Sequence, residues 1–118
     1  MTRIKASGDC GNSPKNKFVQ DIAIALEAGK SAPDMFSETV VWEGVHEAPL
    51  KGQDALSDVL ATLEEPAVIT VEHAISHGKV GAASGEVTFN DGRIRRFSHV
   101  VEFTNAKANC VAVIKSYA

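Results

Sequence analysis

The sequence predicts an α+β domain in which a strongly curved antiparallel sheet wraps around helices and one apolar pocket. Two observations predict it. Apolar residues recur at helical spacing in the first half of the chain, whereas everything after Pro66 reads as strands joined by short turns. Such a meander must hide one face, and the preceding helices are what it has available. The 118 residues suffice for one domain of this kind.

The first helix has recognisable ends. Ser13 can cap it, Pro14 suits its first position, and Gly29 is a typical stop. Phe18 and Ile22 belong to its apolar face. The residues before it are polar with two glycines, so residues 1–12 are expected to be a disordered or tag-like leader and the domain to span residues 13–118.

The other elements follow from residue type and turn chemistry. Gly81, Ala83 and Gly85 share one face of a strand, where their lack of bulk permits strong bending or close approach of a helix. Short helices are predicted over residues 32–36 and 52–64, a first strand over residues 39–45, and the meander strands over residues 68–77, 80–89, 93–104 and 109–117.

Composition and charge exclude several classes of function. The net charge of −3 gives no electrostatic reason to expect nucleic acid binding, and the basic cluster of residues 93–96 is interpreted as a solvated strand edge. Cys10 and Cys110 belong to no metal-binding pattern, so no metal and no cofactor are expected. The N-terminus has neither the pattern of a signal peptide nor that of an anchor, and no apolar run is long enough for a membrane span. We therefore expect a cytoplasmic protein without a membrane partner.

Five segments, in their order and spacing, resemble the nuclear transport factor 2-like superfamily in its SnoaL-like or ketosteroid-isomerase-like branch. They are residues 25–29 (ALEAG), 40–43 (VVWE), 49–52 (PLKG), 72–78 (EHAISHG) and 101–103 (VEF). The resemblance extends over residues 14–118. It implies a cone-shaped half-barrel of the cystatin-like α+β kind with an internal pocket, often in a homodimer packed through the sheet. This fold supports enzymes, binding proteins and assembly domains alike.

Glu43 is the first candidate for catalysis. It shares a strand face with Val41 and Val45, so a carboxylate occupies an otherwise apolar face. The resemblance places it where ketosteroid isomerases have their general base, which works when it is partly shielded from water. The alternative is a strand-edge residue paired with Lys51. If Glu43 points inward, Trp42 lies on the outer face, unless a bulge reverses the two.

His99 is the second candidate. It alternates with Phe97, Val101 and Phe103 on what reads as the inner face of the sheet. The resemblance places it where those isomerases keep a protonated aspartate to hold the enolate oxygen. Histidine can donate the same hydrogen bond. The family tyrosine that completes this site is replaced by Ile22, which has no donor, and the alternative for His99 is a core histidine bonded to a neighbour.

These observations predict a pocket protein that acts on a small, largely apolar carbonyl compound as an isomerase or cyclase, by proton transfer, with Glu43 as base and His99 as hydrogen-bond donor. Two alternatives remain open: non-catalytic binding of a small ligand, and a dimeric interaction module. A cavity of several hundred cubic ångströms would favour a ligand site. The predicted pocket wall consists of Phe18, Ile22, Phe36, Val41, Phe97 and Val101. His46 is expected near the pocket mouth.

Overall fold

The computed structural model describes residues 2–11, 13–30, 33–44, 47–105 and 110–117, in which seven strands form a single sheet that two helices cover. The elements are β1 (Arg3–Lys5), α1 (Pro14–Ala28), a 3₁₀ turn (Pro33–Met35), β2 (Phe36–Glu43), β3 (Leu50–Lys51), α2 (Gln53–Leu60), β4 (Val68–His77), β5 (Val80–Thr88), β6 (Ile94–Phe103) and β7 (Val111–Tyr117). The strand order is β1-β4-β5-β6-β7-β2-β3. The predicted α+β class with a curved sheet is confirmed.

Helix α1 has the predicted ends. The Ser13 hydroxyl accepts a hydrogen bond from the Asn16 backbone N–H, and Pro14 occupies the first position. Gly29 closes the helix in the left-handed conformation with φ of 72°. The buried residues of α1 are Val19, Gln20, Ile22, Ala23, Leu26 and Glu27.

Atoms of neighbouring elements lie unusually close to two glycines of β5, Gly81 and Gly85. A Cβ on Gly81 would lie 2.5 Å from Cγ2 of Val19 on α1, which confirms the predicted close approach of a helix. A Cβ on Gly85 would overlap the carbonyl oxygen of Thr70 on β4. The β4–β5 register shifts nearby, between Val71 and His73, as expected for a bulge that bends the sheet.

The inner face of the sheet carries most of the core. On β6, Phe97, His99, Val101 and Phe103 are buried, which confirms the predicted alternation. Cross-strand pairing aligns His99 with Ser116 of β7 on this face. The apolar core fills the space between the inner face and α1.

The N-terminal segment differs from the expected disordered leader. Residues 3–5 form β1 and pair in parallel with Val68 to Thr70 of β4. The Asp9 carboxylate accepts a hydrogen bond from the Ala74 backbone N–H and contacts His73 Nδ1 at 3.0 Å. The edge of β4 offers unpaired backbone groups, and a polar segment without apolar patterning can satisfy them as well as any other.

The two short helices are smaller than predicted. The helix predicted over residues 32–36 is a 3₁₀ turn followed directly by β2. The helix predicted over residues 52–64 is α2, which ends at Leu60. It ends there because the Thr62 backbone N–H and hydroxyl both donate to the Val59 carbonyl and tighten the chain into a turn. Ala32, Val45, His46 and residues 106–109, to which some predictions refer, lie outside the described residues. Within the described chain, no helix combines the length and apolar character needed to cross a membrane.

The close packing at Gly85 gives a stability prediction. Gly85→Ala should destabilise the fold by about 1–3 kcal/mol, because the added methyl group collides with backbone rather than with a side chain that can move. Urea unfolding followed by circular dichroism measures this. Ser84→Ala is the matched control on the opposite face and should stay within about 0.5 kcal/mol of the parent protein. Equal stability of the two variants would contradict the packing argument.

Candidate functional site

A cavity of about 290 Å³ opens beside the C-terminal end of α1. This volume is near the lower end of the range for small-molecule sites. Its wall combines apolar side chains with a few ionisable and hydroxyl-bearing residues. The lining residues are Leu26, Glu27, Trp42, Gly44, Leu63, Glu64, Phe89, Arg95, His99, Ser116 and Tyr117.

Glu27 forms the charged centre of this wall. Its side chain is only 4% exposed, yet its carboxylate has two cationic or protonatable partners. Oε2 lies 2.6 Å from His99 Nε2, and Oε1 accepts a 2.5 Å hydrogen bond from Nη2 of Arg95. His99 is 5% exposed, whereas the Arg95 side chain is 44% exposed and reaches solvent.

The pKa of Glu27 reflects two opposing effects. Burial raises the pKa by penalising the charged carboxylate, but the hydrogen bond and charge of His99, together with Arg95, outweigh it. The pKa of Glu27 is therefore held below its ordinary value. The buried group is a carboxylate at neutral pH and acts only as a hydrogen-bond acceptor.

The imidazole of His99 is held at both nitrogens. Nδ1 lies 2.7 Å from Oγ of Ser116, on the side of the ring opposite to Glu27. The same oxygen accepts a 2.8 Å hydrogen bond from the indole Nε1–H of Trp42. Phe97 stacks on the imidazole, with ring centroids 5.4 Å apart. The ring orientation is therefore fixed by packing as well as by hydrogen bonds.

This arrangement is a linear network from carboxylate through imidazole to hydroxyl. A carboxylate on one side of an imidazole fixes the tautomer and stabilises positive charge on the ring. The other nitrogen can then exchange a proton with Ser116, which is half-buried and lines the cavity. The site can move a proton between His99 and a molecule in the cavity.

Glu43 does not face the cavity, in contrast to the sequence-based prediction. It is exposed and pairs across the sheet with Lys115, on the outer face. Trp42, whose strand face the sequence left open, is buried and lines the cavity. Glu43 faces outward because Trp42 fills the core and its indole N–H bonds to Ser116, which fixes the alternation of β2.

The predicted wall residues lie mostly in the packed core. Phe18, Ile22, Phe36, Phe97 and Val101 pack against one another or their neighbours, and in the described chain none of them lines the cavity. The close approach of α1 to β5 leaves no room for a ligand there. Among the predicted pocket residues, His99 alone is in the lining.

Val41, which was also predicted to line the pocket, lies on the same face of β2 as Glu43. It is half-buried and lies opposite Val113 on the face of β2 that points away from the cavity.

Sequence analysis missed Glu27, Arg95 and Ser116. A signal existed for two of them. Glu27 comes four residues after Ala23 on the buried face of α1, so its carboxylate interrupts an apolar stripe. Arg95 alternates with Phe97 on β6 and therefore belongs to the inner face. Ser116 had no comparable signal, because a serine near a strand end is ordinary.

The structure is a small α+β domain with a cavity whose wall contains a buried Glu27–His99 pair. No protein-family model matches the sequence, and no curated protein is significantly similar to it. Solved structures do match, and all those compared below share less than a fifth of their residues with this chain.

A nuclear transport factor 2-like protein of unknown function from Mesorhizobium loti aligns with a TM-score of 0.67 and 14% identity, over 96% of this chain and 97% of that one. A proposed polyketide cyclase from Sinorhizobium meliloti has a TM-score of 0.64 and 13% identity, over 86% and 94% of the two chains. A proposed isomerase of the SnoaL-like family from Agrobacterium tumefaciens has a TM-score of 0.62 and 13% identity, over 85% and 96%. The chain therefore has the nuclear transport factor 2-like fold, as the resemblance implied.

The lowered pKa of Glu27 gives a prediction for stability against pH. A carboxylate whose pKa is lowered by folding stabilises the native state above its unfolded pKa, and this contribution is lost as pH falls through the folded pKa. Glu27→Gln should remove this contribution and lower stability at pH 7 by up to about 3 kcal/mol. The difference from the parent protein should shrink steadily from about pH 5 towards pH 3.

Urea unfolding across this pH range checks the prediction. Asp9 and Asp91 also have lowered pKa values, but both remain in the variant, so the difference isolates Glu27. Glu43→Gln removes an exposed carboxylate and should change stability by less than about 0.5 kcal/mol. A pH-independent difference between Glu27→Gln and the parent would contradict the assignment.

Proposed function

We propose that this protein binds a small, largely apolar carbonyl compound and moves a proton on it, as an isomerase or a cyclase does. The observation that carries the proposal is the buried Glu27–His99 pair in the wall of an otherwise largely apolar cavity. Buried ionisable pairs in a pocket are more frequent at catalytic sites than elsewhere.

The roles follow from the hydrogen bonds. His99 is the acid–base group, and Glu27 orients its ring and stabilises the protonated form. Ser116 and His99 both line the cavity, and Oγ of Ser116 lies 2.7 Å from Nδ1 of His99. A proton leaving the bound molecule passes to the serine oxygen as the hydroxyl proton moves to Nδ1. Leu26, Trp42 and Phe89 supply apolar surface for the carbon skeleton.

The comparisons add support for the class of reaction only. Two structures with the same fold are described as a proposed polyketide cyclase and a proposed SnoaL-like isomerase. At 13% identity, these similarities support a shared fold and not a shared reaction. The assignment of proton transfer to this chain therefore rests on Glu27 and His99.

The experiment uses 2-tetralone, a bicyclic ketone with acidic hydrogens next to its carbonyl group. In D₂O the protein should accelerate exchange of these hydrogens, measured by proton NMR. His99→Gln should reduce the catalysed exchange about 100-fold or more, because general acid–base groups typically contribute that much. His77→Gln, an exposed histidine at the end of β4, is the matched control and should leave exchange unchanged.

Binding is measured in the same samples. Trp42 is the single tryptophan and lines the cavity, so its fluorescence reports occupancy. Binding of 2-tetralone with no exchange above the His99→Gln rate would reject catalysis and favour the non-catalytic ligand carrier. If the protein neither binds 2-tetralone nor catalyses its exchange, this ligand class is rejected.

A second proposal concerns the outer face of the sheet, which we propose packs against a second copy of the chain. Cross-strand pairing aligns Ile75, Ala82 and Val100 in one row on this face, and Ile75 is 58% exposed. Lys115 continues the row on β7, and its ammonium group lies 3.4 Å from Glu102. A small, mixed and largely apolar row of this kind suits a self-complementary two-fold contact.

Val100→Arg should disrupt this contact by placing a charge at its centre. Light scattering coupled to size-exclusion chromatography should give twice the 12.5 kDa chain mass for the parent and a single chain mass for the variant. Ala61→Arg adds the same charge at an exposed position after α2 and should remain dimeric. A monomeric parent protein at all concentrations would exclude the dimer.

A further inference from the structure

The network of the cavity ends on a hydroxyl whose surroundings suit a nucleophile. Glu27, His99 and Ser116 are joined in series, with 2.6 Å between Oε2 and Nε2 and 2.7 Å between Nδ1 and Oγ. The three residues come from α1, β6 and β7, so the series depends on the tertiary fold and not on a local motif. Acid, base and nucleophile in this order are the parts of a serine triad.

The hydrogen positions follow from the partner of each nitrogen. Glu27 is an acceptor, so Nε2 of His99 carries a hydrogen. In the neutral imidazole Nδ1 is then an acceptor, and the Ser116 hydroxyl donates to it. This is the state in which histidine can take the serine proton as the oxygen attacks.

Trp42 completes the environment of the serine oxygen. Its Nε1–H occupies one of the two lone pairs of Oγ, and the hydroxyl hydrogen is directed to His99. One lone pair remains for attack, on a residue that lines the cavity. The indole donor also stabilises negative charge that develops on this oxygen.

We propose that Ser116 is a nucleophile that accepts an acyl group from a small ester bound in the cavity. Oγ forms a bond to the ester carbonyl carbon, and the bond from that carbon to the leaving oxygen breaks. The hydroxyl proton moves to Nδ1 of His99 and then to the leaving oxygen, so the products are an acylated serine and an alcohol. Water then attacks the acyl carbon and gives one proton to His99. The bond from that carbon to Oγ of Ser116 breaks, His99 returns the proton to Oγ, and the carboxylic acid leaves.

Arg95 supplies the positive charge this step needs. Arg95 lines the cavity, and its guanidinium, which carries five N–H donors, donates one described hydrogen bond to Glu27. Donors near the carbonyl oxygen stabilise the negative charge that develops on it during attack. The proposal uses the pocket of the proton-transfer reaction but requires no enolisation, so the two stand independently.

The test uses 4-nitrophenyl acetate, a small activated ester. The parent protein should release nitrophenolate in a burst of about one equivalent, and intact mass spectrometry should show one added acetyl group. Peptide mapping should place it on Ser116. His99→Gln should slow acylation about 100-fold or more, because the serine then lacks its base.

Variants at the serine complete the test. Ser116→Ala should lose the burst, and Ser116→Cys should keep it as a thioester. Ser98→Ala is the control and should behave as the parent protein. Ser98 lies on the outer face of β6, opposite Tyr117 of β7. Acetylation of lysine or tyrosine alone, or an undiminished burst in Ser116→Ala, would overturn the proposal. If Ser116→Ala does not fold, the mapped site in the parent protein decides.

The acylation test and the proton-exchange test fail separately. A protein that exchanges the hydrogens of 2-tetralone but is never acetylated at Ser116 retains the proposed function and loses this one. A protein that is acetylated at Ser116 but does not exchange the hydrogens of 2-tetralone retains the nucleophile proposal and loses the proposed function.

Discussion

The burial of the Glu27 carboxylate is the constraint on which the site depends. Removing an ionised carboxylate from water costs several kcal/mol, and the cost is offset only when partners with good geometry surround it. His99 and Arg95 provide those partners from β6, while Glu27 itself comes from α1. The electrostatic requirement of one side chain therefore fixes how the helix end sits against the sheet. It also holds the imidazole in the one orientation that directs Nδ1 towards Ser116.

Packing elsewhere decides where the cavity lies. Because Gly81 has no side chain, Val19 approaches the sheet closely, and the space between α1 and the middle of β5 is filled by aliphatic and aromatic groups. Dense packing at that end leaves no volume for a ligand. The opening is displaced to the end of α1, where Glu27, Trp42 and Ser116 meet. The apolar core and the pocket are therefore neighbours rather than the same set of residues.

The sequence allowed the elements to be predicted better than the orientation of one strand. Capping residues and a regular apolar stripe defined α1, and strict alternation placed His99 on the inner face of β6. Residues 40–42 (VVW) are apolar on both faces, so this stretch alone does not identify the buried face of β2. Glu43 was assigned to the wrong face for this reason. The pairing of β1 with β4 was unpredictable because it depends on backbone groups and not on side-chain pattern.

Both proposed reactions depend on the same property of the network, namely which atom holds the mobile proton. Glu27 keeps a hydrogen on Nε2 in every state in which it is ionised, so the proton that can move is the one shared by Nδ1 and Ser116. With that proton on the serine, His99 is a base and the serine oxygen can accept a carbon-bound proton or attack a carbonyl. With that proton on His99, the imidazolium is an acid that returns it. Which reaction follows is decided by the bound molecule: an acidic C–H next to a carbonyl leads to proton transfer, whereas a good leaving group on that carbonyl leads to acyl transfer.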